Sequence, residues 1–349
     1  MRRRLGGWFC VVVASLGALP AMKSVAADPI PNLSDAIQQQ VNTVFENSQE
    51  AVVKVEAMDD QGMVSGTGFF VEPDGLMYTL YTLGGQSHDI VVTRGDLKYP
   101  ATRVAADVRT GIAILKVNAR TPFLPLATAH GLALGTPVVA VGYPLDLPLT
   151  PSFGVVGGFD RKYLGRYFAT THIRANVPVQ RGQGGAPLLN MKGEVEGILI
   201  SSLEQGSALF ALPTEAAEKV RRDFVRFGGI RPGWMGIDVG VISEPREGSK
   251  VEIKDVFPHA PAENAGIRRG DVLLKVGNTN ITTPEDVLDA SFFLTADDEV
   301  KVRVARGDQT LDFNVLPVES PSSHRTALPV LGSTDDAGNL PLRPLRVNE

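Results

Sequence analysis

Short runs rich in Val, Ile, Thr and Phe follow one another along this chain from residue 51 onward. Gly-containing turns such as Asp74-Gly75 and Gly84-Gly85 separate them, and no long helical pattern interrupts the series. Strands at this spacing are typical of a barrel or a sandwich and not of an alternating α/β sheet. We predict a mainly β protein whose first strands cover residues 51–57, 66–71, 77–81, 89–93, 112–117 and 137–141.

The length and charge of the chain limit its class. With 349 residues, 43% of them hydrophobic and 21% charged, it is globular and long enough for two domains of ordinary size. Its formal net charge is -5, and no segment forms the basic stripe that nucleic-acid-binding proteins usually carry. We therefore expect no nucleic-acid partner.

Residues 1–27 have the pattern of a secretory signal peptide. Arg2, Arg3 and Arg4 precede an apolar run from Trp8 to Leu19, and small residues fill 24–27. A retained membrane anchor is the alternative, but the run has about a dozen residues where spanning needs roughly 20. We expect export to the periplasm or the extracellular space, with no membrane span after the signal is removed.

The only cysteine, Cys10, lies inside the predicted signal peptide. The exported protein would then contain no disulfide, no cysteine nucleophile and no thiolate metal site. Its stability would have to come from ordinary hydrophobic cores.

Helical patterns mark the ends of the first unit. Residues 28–47 form a predicted N-terminal helical segment, with Ser34 as its N-cap and an apolar stripe that includes Ile37 and Val44. A second helix is predicted to begin at Pro213-Thr214 and to end at Gly228-Gly229. This second helix indicates a domain boundary.

A smaller module is predicted over residues 233–318. Its helix begins at Thr283-Pro284, where Asp286 takes the place of the usual Glu in a capping box. Two final strands are predicted over 299–305 and 310–315. The segment 319–349 is rich in Pro, Ser, Gly and Asp, so we expect it to be disordered.

An ordered series of short motifs resembles the HtrA/DegP type of trypsin-like periplasmic protease. Each motif alone is weak, but together they cover most of residues 48–318 in the order found in that family. The motifs are Gly66-Thr67-Gly68-Phe69-Phe70-Val71, Asp107-Val108-Arg109-Thr110, Ala113-Ile114-Leu115-Lys116-Val117, Val141-Gly142-Tyr143-Pro144, Gly185-Ala186-Pro187-Leu188-Leu189-Asn190 and Phe210-Ala211-Leu212-Pro213. The resemblance implies a trypsin-like double β-barrel over 48–230, with an active site in the cleft between the barrels.

The same resemblance implies that the catalytic triad is replaced. Thr82 stands where the family has its histidine, Gly111 where it has its aspartate, and Gly184 where it has its serine. We refer to residues 182–187, which correspond to the family's Gly-Asn-Ser-Gly-Gly-Pro sequence, as the glycine loop. The sequence thus predicts no catalytic residue.

Triad chemistry explains why these replacements matter. A serine hydroxyl attacks an amide only if a positioned base takes its proton and a third group orients that base. Gly182, Gln183 and Gly184 retain backbone amides that form a predicted vestigial oxyanion loop. Without a triad, such a loop leaves a rate roughly 10³ to 10⁴ above that in water, which is negligible for a peptide bond.

No other residue is a strong candidate for the lost roles. His88 is expected to be an exposed histidine at the start of the next strand, and His172 a buried, hydrogen-bonded one. Ser201 and Ser202 are expected to follow a strand over 197–200, where the family has its substrate-lining wall, and to be peptide-contacting or structural and not nucleophilic. The remaining histidines are His130, His259 and His324, without metal-ligand spacing, so neither a metal site nor a cofactor is predicted.

The pocket that would select substrates also departs from the family pattern. Asn176 stands in place of an aspartate that precedes the glycine loop, and Pro178 and Arg181 replace small or loop residues nearby. The threonine and the two glycines at the triad positions are smaller than the residues that they replace. A wider cleft and a collapsed cleft are both compatible with the sequence.

The smaller module resembles a PDZ domain of the kind found in these proteases. The motifs are Gly233-Trp234-Met235-Gly236-Ile237 and Ala260-Pro261-Ala262-Glu263-Asn264-Ala265-Gly266-Ile267-Arg268-Arg269-Gly270-Asp271-Val272-Leu273. The resemblance implies that the N–H groups of Trp234, Met235 and Gly236 capture a peptide C-terminal carboxylate. A strand from Ile237 to Val241 would then pair with the peptide. Alternatively, Trp234 only packs the domain junction.

These patterns favour an exported, proteolytically inactive HtrA-like protein that binds peptides or unfolded proteins, C-terminal tails among them, as an adaptor or a chaperone. The resemblance implies self-association as a trimer or a mixed assembly with an active homologue. The alternative is an active serine endopeptidase of envelope quality control that uses a rearranged site.

Overall fold

The computed structural model describes residues 32–128, 132–163, 166–203, 206–319 and 345–346. The predicted signal peptide, Cys10, His130, His324 and most of the predicted tail lie outside these residues. Within the described part, no helix combines the length and the apolar character that crossing a membrane requires.

Six antiparallel strands form the first barrel, and they are β1 (Val52–Asp59), β2 (Gly62–Phe70), β3 (Leu76–Leu80), β4 (His88–Arg94), β5 (Leu97–Asp107) and β6 (Ile112–Val117). Their order is β1-β4-β5-β6-β3-β2, and β1 also pairs with β2 along its length, so the sheet closes on itself. Buried side chains fill the interior, among them Val55, Phe70, Met77 and Leu115.

Six further strands form a second closed barrel, and they are β7 (Pro137–Gly142), β8 (Thr150–Tyr163), β9 (Arg166–Asn176), β10 (Pro187–Asn190), β11 (Val195–Leu203) and β12 (Ala208–Pro213). Their order is β10-β11-β12-β9-β8-β7. The glycine loop lies between β9 and β10. The predicted mainly β, double-barrel architecture is confirmed.

Three helices accompany the barrels, and they are α1 (Leu33–Ser48), α2 (Tyr81–Gly84) and α3 (Thr214–Phe227). Helix α3 ends as predicted, because Gly228 takes the left-handed conformation that a C-terminal cap requires. Helix α1 begins one residue before Ser34, and the Asn32 side chain accepts the Ser34 N–H at 3.3 Å. The N-cap is therefore Asn32. The sequence-based prediction of Ser34 as the N-cap was wrong.

The smaller module contains two helices and eight strands, and they are β13 (Gly233–Trp234), β14 (Ile237–Arg246), β15 (Ser249–Val256), α4 (Pro261–Ala265), β16 (Val272–Val276), β17 (Thr279–Asn280), α5 (Pro284–Phe293), β18 (Val300–Arg306), β19 (Gln309–Val315) and β20 (Val318–Glu319). The main sheet has the order β14-β15-β16-β18-β19, with β14 at one edge. The predicted capping box of α5 is present, formed by Thr283 and Asp286.

Polar contacts join the module to the barrels at two places. On α5, Asp289 accepts hydrogen bonds from the Thr170 hydroxyl and the Thr171 N–H of β9, at 2.5 and 2.7 Å. On α3, the buried Asp223 accepts a bond from the Thr295 hydroxyl at 3.2 Å. The predicted boundary after α3 is therefore bridged by side chains from both units.

The predicted disordered tail includes two described places with strand structure. Glu319 belongs to β20, which pairs with β13. Leu345–Arg346 forms a short strand, β21, paired antiparallel with Val64 and Ser65 of β2.

Two elements of the first barrel were absent from the sequence prediction. Strand β5 (Leu97–Asp107) exposes many of its side chains, so its sequence lacks the apolar run that marked the other strands. Helix α2 is a single turn that begins at Tyr81, where the predicted third strand was to end. A single turn has too few residues for a helical period to be recognised.

Candidate functional site

The positions of Thr82 and Gly111 are neighbours in the first barrel. Helix α2 carries Thr82 directly after β3, and Gly111 ends the turn between β5 and β6. The Tyr81 N–H donates a hydrogen bond to the Gly111 carbonyl oxygen at 2.8 Å. Two segments far apart in sequence are thus fixed side by side.

Gly184 of the second barrel meets the first barrel at β2. The Thr67 N–H donates to the Gly184 carbonyl oxygen at 3.0 Å. Gly66 has no room for a side chain, because a Cβ there would lie 2.5 Å from Leu83 Cδ1 and 3.2 Å from the Gly184 oxygen. Since Leu83 follows Thr82 on α2, all three predicted triad positions lie at one junction between the barrels.

The glycine loop is held by bonds that leave two amides unused. The buried Gln183 side chain accepts the Gln180 N–H at 2.7 Å, and the Gln183 N–H donates to the Gln180 carbonyl. The Thr67 hydroxyl donates to the Gly182 carbonyl at 2.7 Å. The N–H groups of Gly182 and Gly184 donate to no described residue. Two backbone donors of the glycine loop are thus unused among the described residues.

The side chains at the junction offer little chemistry. The Thr82 hydroxyl oxygen is buried and has no hydrogen-bond partner within the described part of the chain. Gly111 has φ +76°, a left-handed conformation that costs an ordinary residue energy. A Cβ at Gly111 would point toward the Ile200 side chain, 3.7 Å away. No other described residue would lie within 4 Å of that Cβ.

The described histidines lie elsewhere. His88 is exposed at the start of β4, as predicted, and its ring contacts the Asp89 carboxylate at 2.8 Å. His259 lies in the turn before α4, where its N–H donates to Glu263. No hydrogen bond joins a histidine ring to a hydroxyl group among the residues described.

His172 is the buried, hydrogen-bonded histidine that the sequence predicted, and it lies inside β9. Its Nδ1 is 2.7 Å from the Thr170 carbonyl oxygen, and its ring stacks on Phe168 with centroids 4.2 Å apart. Burial lowers the pKa of His172 to about 4. The ring is therefore neutral at physiological pH.

Ser201 and Ser202 lie within β11, which is longer than the predicted strand 197–200. They pair with Phe210 and Leu209 of β12, so their backbones belong to the barrel wall. Asn176 ends β9 and is exposed, as are Pro178 and Arg181 nearby.

In the smaller module, residues 234–237 run from the end of β13 through Met235 and Gly236 to the start of β14, and we call this segment the carboxylate loop. The Met235 carbonyl accepts the Ala262 N–H and the Gly236 carbonyl accepts the Phe257 N–H, both at 2.9 Å. The N–H groups of Met235 and Gly236 donate to no described residue. The loop therefore directs its acceptors inward and keeps two donors available.

Gly236 is required by this backbone. Its φ is +78°, and a Cβ there would lie 2.2 Å from the Ala260 Cβ and 3.1 Å from the Trp234 ring. The half-buried Trp234 ring also packs on Phe257, with centroids 5.6 Å apart. Trp234 thus packs within its own module.

An open strand edge continues from the loop. Strand β14 pairs with β15 on one side, with Ile237 opposite Val256, and has no strand on its other side among the described residues. Val241 on β14 and Leu288 on α5 expose 63% and 52% of their surfaces. An edge strand with exposed apolar side chains can accept an extended peptide.

Comparison with known sequences identifies both units. The model of a trypsin-like peptidase domain matches residues 66–198, and the model of a PDZ domain matches residues 233–316. The chain contains an HtrA/DegP-type trypsin-like protease domain followed by one PDZ domain. The carboxylate loop opens that PDZ domain, and the junction between the barrels belongs to the protease domain.

Several curated relatives match both domains. Serine protease HTRA1 of Xenopus tropicalis is 30% identical over 279 residues, which cover 73% of this chain and 60% of the relative. A probable periplasmic serine endoprotease DegP-like of Chlamydia pneumoniae is 27% identical, covering 74% and 56%. Serine endoprotease DegS of Haemophilus influenzae is 29% identical, covering 73% and 77%. The chain thus spans 60% and 56% of the length of the first two relatives.

Solved structures agree on the fold. The HtrA-type protease AlgW with tripeptide has a TM-score of 0.65 and 20% identity, over 80% of this chain and 97% of that one. The serine endoprotease from Yersinia pestis has a TM-score of 0.56 and 24% identity, over 80% and 98%.

Two residues of the junction were missed by the sequence analysis. Ile200 faces Gly111 across the junction, although the two are far apart in sequence. Thr67 holds two chain segments, because its hydroxyl donates to Gly182 and accepts the Tyr143 N–H at 3.0 Å. The motif at 66–71 contained Thr67, but no local pattern marks either contact.

Proposed function

We propose that this chain is an exported HtrA-like protein that binds peptides or unfolded proteins through its PDZ domain and does not hydrolyse them. The observation that carries the proposal is the junction at which Thr82, Gly111 and Gly184 lie. The protease fold is retained around these positions, but neither glycine has a side chain and Thr82 has only a hydroxyl group.

Chemistry argues for inactivity at this junction. Amide hydrolysis by this type of enzyme needs an attacking oxygen, a base and a group that orients the base. A threonine hydroxyl does not accept a proton at neutral pH, and a glycine provides neither nucleophile nor carboxylate. The left-handed backbone of Gly111 and the facing Ile200 add a second obstacle to any aspartate at that position.

The PDZ domain supports the binding half of the proposal. Peptide capture at a carboxylate loop uses backbone N–H groups, and Met235 and Gly236 have theirs available. The neighbouring edge of β14 can supply main-chain hydrogen bonds to the peptide. Val241 on β14 and Leu288 on α5 provide exposed apolar surface on the two elements that would flank the peptide.

Reaction with a fluorophosphonate probe and incubation with unfolded casein test the inactivity. We expect neither covalent labelling nor cleavage, with an active HtrA-type protease as the positive control. A Ser201→Ala/Ser202→Ala variant is the matched control for the fluorophosphonate probe. It removes the two serines that lie on the barrel wall beside Ile200. A stoichiometric adduct on the unaltered protein would overturn the proposal in favour of a rearranged active site.

A library of C-terminal peptides tests the binding. We expect ligands whose affinity falls when the terminal carboxylate is amidated, because an amide lacks the negative charge that the N–H groups attract. Equal affinity for both forms would reject carboxylate capture.

The export of this protein is part of the same proposal. It is supported by the signal-like pattern of residues 1–27 and by a relative that is named as periplasmic. Expression in a bacterial host followed by fractionation and N-terminal mass measurement is the test. We expect a processed chain in the periplasmic fraction, and an unprocessed cytoplasmic chain would contradict export.

A further inference from the structure

Strand β2 has an open edge beside the predicted cleft. On one side it pairs with β1 from Gly62 to Phe69. On the other side β3 pairs only with Gly68–Phe70, so Val64 and Ser65 lie beyond the end of β3. Backbone groups at such an edge are a template for another strand.

The strand that pairs with this edge comes from the far end of the same chain. In β21, Arg346 lies opposite Val64 and Leu345 lies opposite Ser65, in antiparallel register. The pairing extends the first barrel's sheet by one short strand.

The paired edge lies next to the glycine loop. Ser65 is followed by Gly66, whose Cα faces the Gly184 carbonyl closely enough that a Cβ would lie 3.2 Å from that oxygen. Thr67, one residue further, donates its N–H to the same oxygen. A strand docked on Val64–Ser65 therefore occupies one end of the junction between the barrels.

We propose that the segment Leu345–Arg346 is an internal ligand that docks on the open edge of β2, within its own chain, and occupies one end of the predicted cleft. An extended peptide in the cleft would pair with the same edge, so the two compete. Docking on β2 does not depend on peptide binding by the PDZ domain.

Chain length allows the segment to come from the same molecule. Residues 320–344, which are 25 residues, connect Glu319 at the end of β20 to Leu345. Fully extended, such a connection spans roughly 80 Å. With only two residue pairs, the docked strand is short enough for a longer peptide to displace it.

Disulfide trapping tests the register and the origin of the segment. In a Cys10→Ser background, Ser65→Cys/Leu345→Cys places two cysteines directly opposite each other, at a separation that a disulfide can bridge. We expect an intramolecular bond, seen as a monomer with altered mobility on a non-reducing gel and confirmed by peptide mapping.

The matched control is Thr93→Cys/Leu345→Cys. Thr93 lies on β4, which is separated from β21 by β1 and β2, about 14 Å across the sheet. We expect no bond in this variant. Equal trapping in both variants, or none in the first, would reject the docking, and a covalent dimer would reject its origin in the same chain.

Hydrogen exchange tests the backbone pairing without cysteines. Leu345→Pro/Arg346→Pro removes both N–H donors, whereas Leu345→Ala/Arg346→Ala keeps them. We expect the amides of residues 62–66 to exchange on the order of tenfold faster in the proline variant and at the unaltered rate in the alanine variant. Identical exchange in the two variants would overturn the proposal.

Discussion

Two regions of this protein differ in the chemistry on which their function would depend. The junction between the barrels would depend on side chains, whereas the carboxylate loop of the PDZ domain would depend on the backbone. In the function proposed above, Thr82, Gly111 and Gly184 stand in place of the three side chains that catalysis at the junction would need. Peptide capture at the loop needs backbone N–H groups, and Met235 and Gly236 have these available. Side-chain chemistry can be lost by substitution without loss of the fold, whereas backbone chemistry persists as long as the fold does.

The first prediction concerns the buried ion pair of α3 at the interface between the protease domain and the PDZ domain. Lys219 and Asp223 form an ion pair at 2.5 Å on α3, and both side chains are at least 96% buried. Burial lowers the pKa of Lys219. Because Asp223→Ala leaves a buried lysine without its partner, we expect a loss of about 3–5 kcal/mol in the free energy of unfolding, measured by urea denaturation.

The control for this prediction lies at the same interface. Arg226 and Asp298 form an exposed pair between α3 and the PDZ domain. We expect Asp298→Ala to cost much less than Asp223→Ala, because solvent screens an exposed ion pair. Equal losses for the buried and the exposed pair would mean that burial is not what stabilises this interface.

The second prediction concerns acid. Because burial lowers the pKa of His172 to about 4 from its ordinary 6.5, the unfolded chain takes up a proton before the folded one does. The contribution of His172 to the free energy of unfolding is therefore fully present above pH 6.5. It falls as the pH drops toward 4, by about 3 kcal/mol in total. Denaturation midpoints between pH 7 and pH 4 measure this loss.

His172→Phe keeps a ring to stack on Phe168 and removes the titrating group, so we expect the loss between pH 6.5 and pH 4 to shrink. His88→Gln changes an exposed histidine and is the control for replacing a histidine as such. If the phenylalanine variant lost stability in acid as steeply as the unaltered protein, the source would lie in other groups.

The third prediction concerns the carboxylate loop directly. A Cβ at Gly236 would overlap the Ala260 Cβ at 2.2 Å, so Gly236→Ala must displace the loop. We expect affinity for a C-terminal peptide to fall by about 30-fold, which corresponds to about 2 kcal/mol. Fluorescence anisotropy with a labelled peptide measures this change.

Gly248→Ala is the matched control for Gly236→Ala. Gly248 has a similar positive φ, +84°, but a Cβ there meets nothing within 4 Å. We expect its peptide affinity to stay within about twofold of the unaltered protein, since the loop is not moved. Equal losses in both variants would mean that backbone strain, and not the loop position, controls binding.

The smallest expected effect lies at the junction. Gly111→Ala places a side chain in a left-handed conformation with room for its Cβ, so we expect a loss of about 1 kcal/mol in stability and no change in peptide binding. Thermal unfolding and the same anisotropy assay measure the two quantities. A change in peptide affinity would show that the junction and the loop are coupled.

Most of the fold and part of the candidate site could be predicted from the sequence. The capping box at Thr283 and the helix end at Gly228 were predicted because local geometry decides them. Strand β5 was missed because its side chains are largely exposed and form no apolar run. The prediction of Ser34 as the N-cap was wrong because Asn32, two residues earlier, provides the capping oxygen.

The sequence by itself determined which side chains are present at positions 82, 111 and 184, and where turns require glycine. Only the tertiary structure decided that Ile200 faces Gly111, that the acceptors of the carboxylate loop are turned inward, and that Leu345–Arg346 lies on β2. Residue types and local periods are properties of neighbours in the chain. Contacts between distant segments arise when strands pair and cores pack, and no short stretch of sequence contains that information.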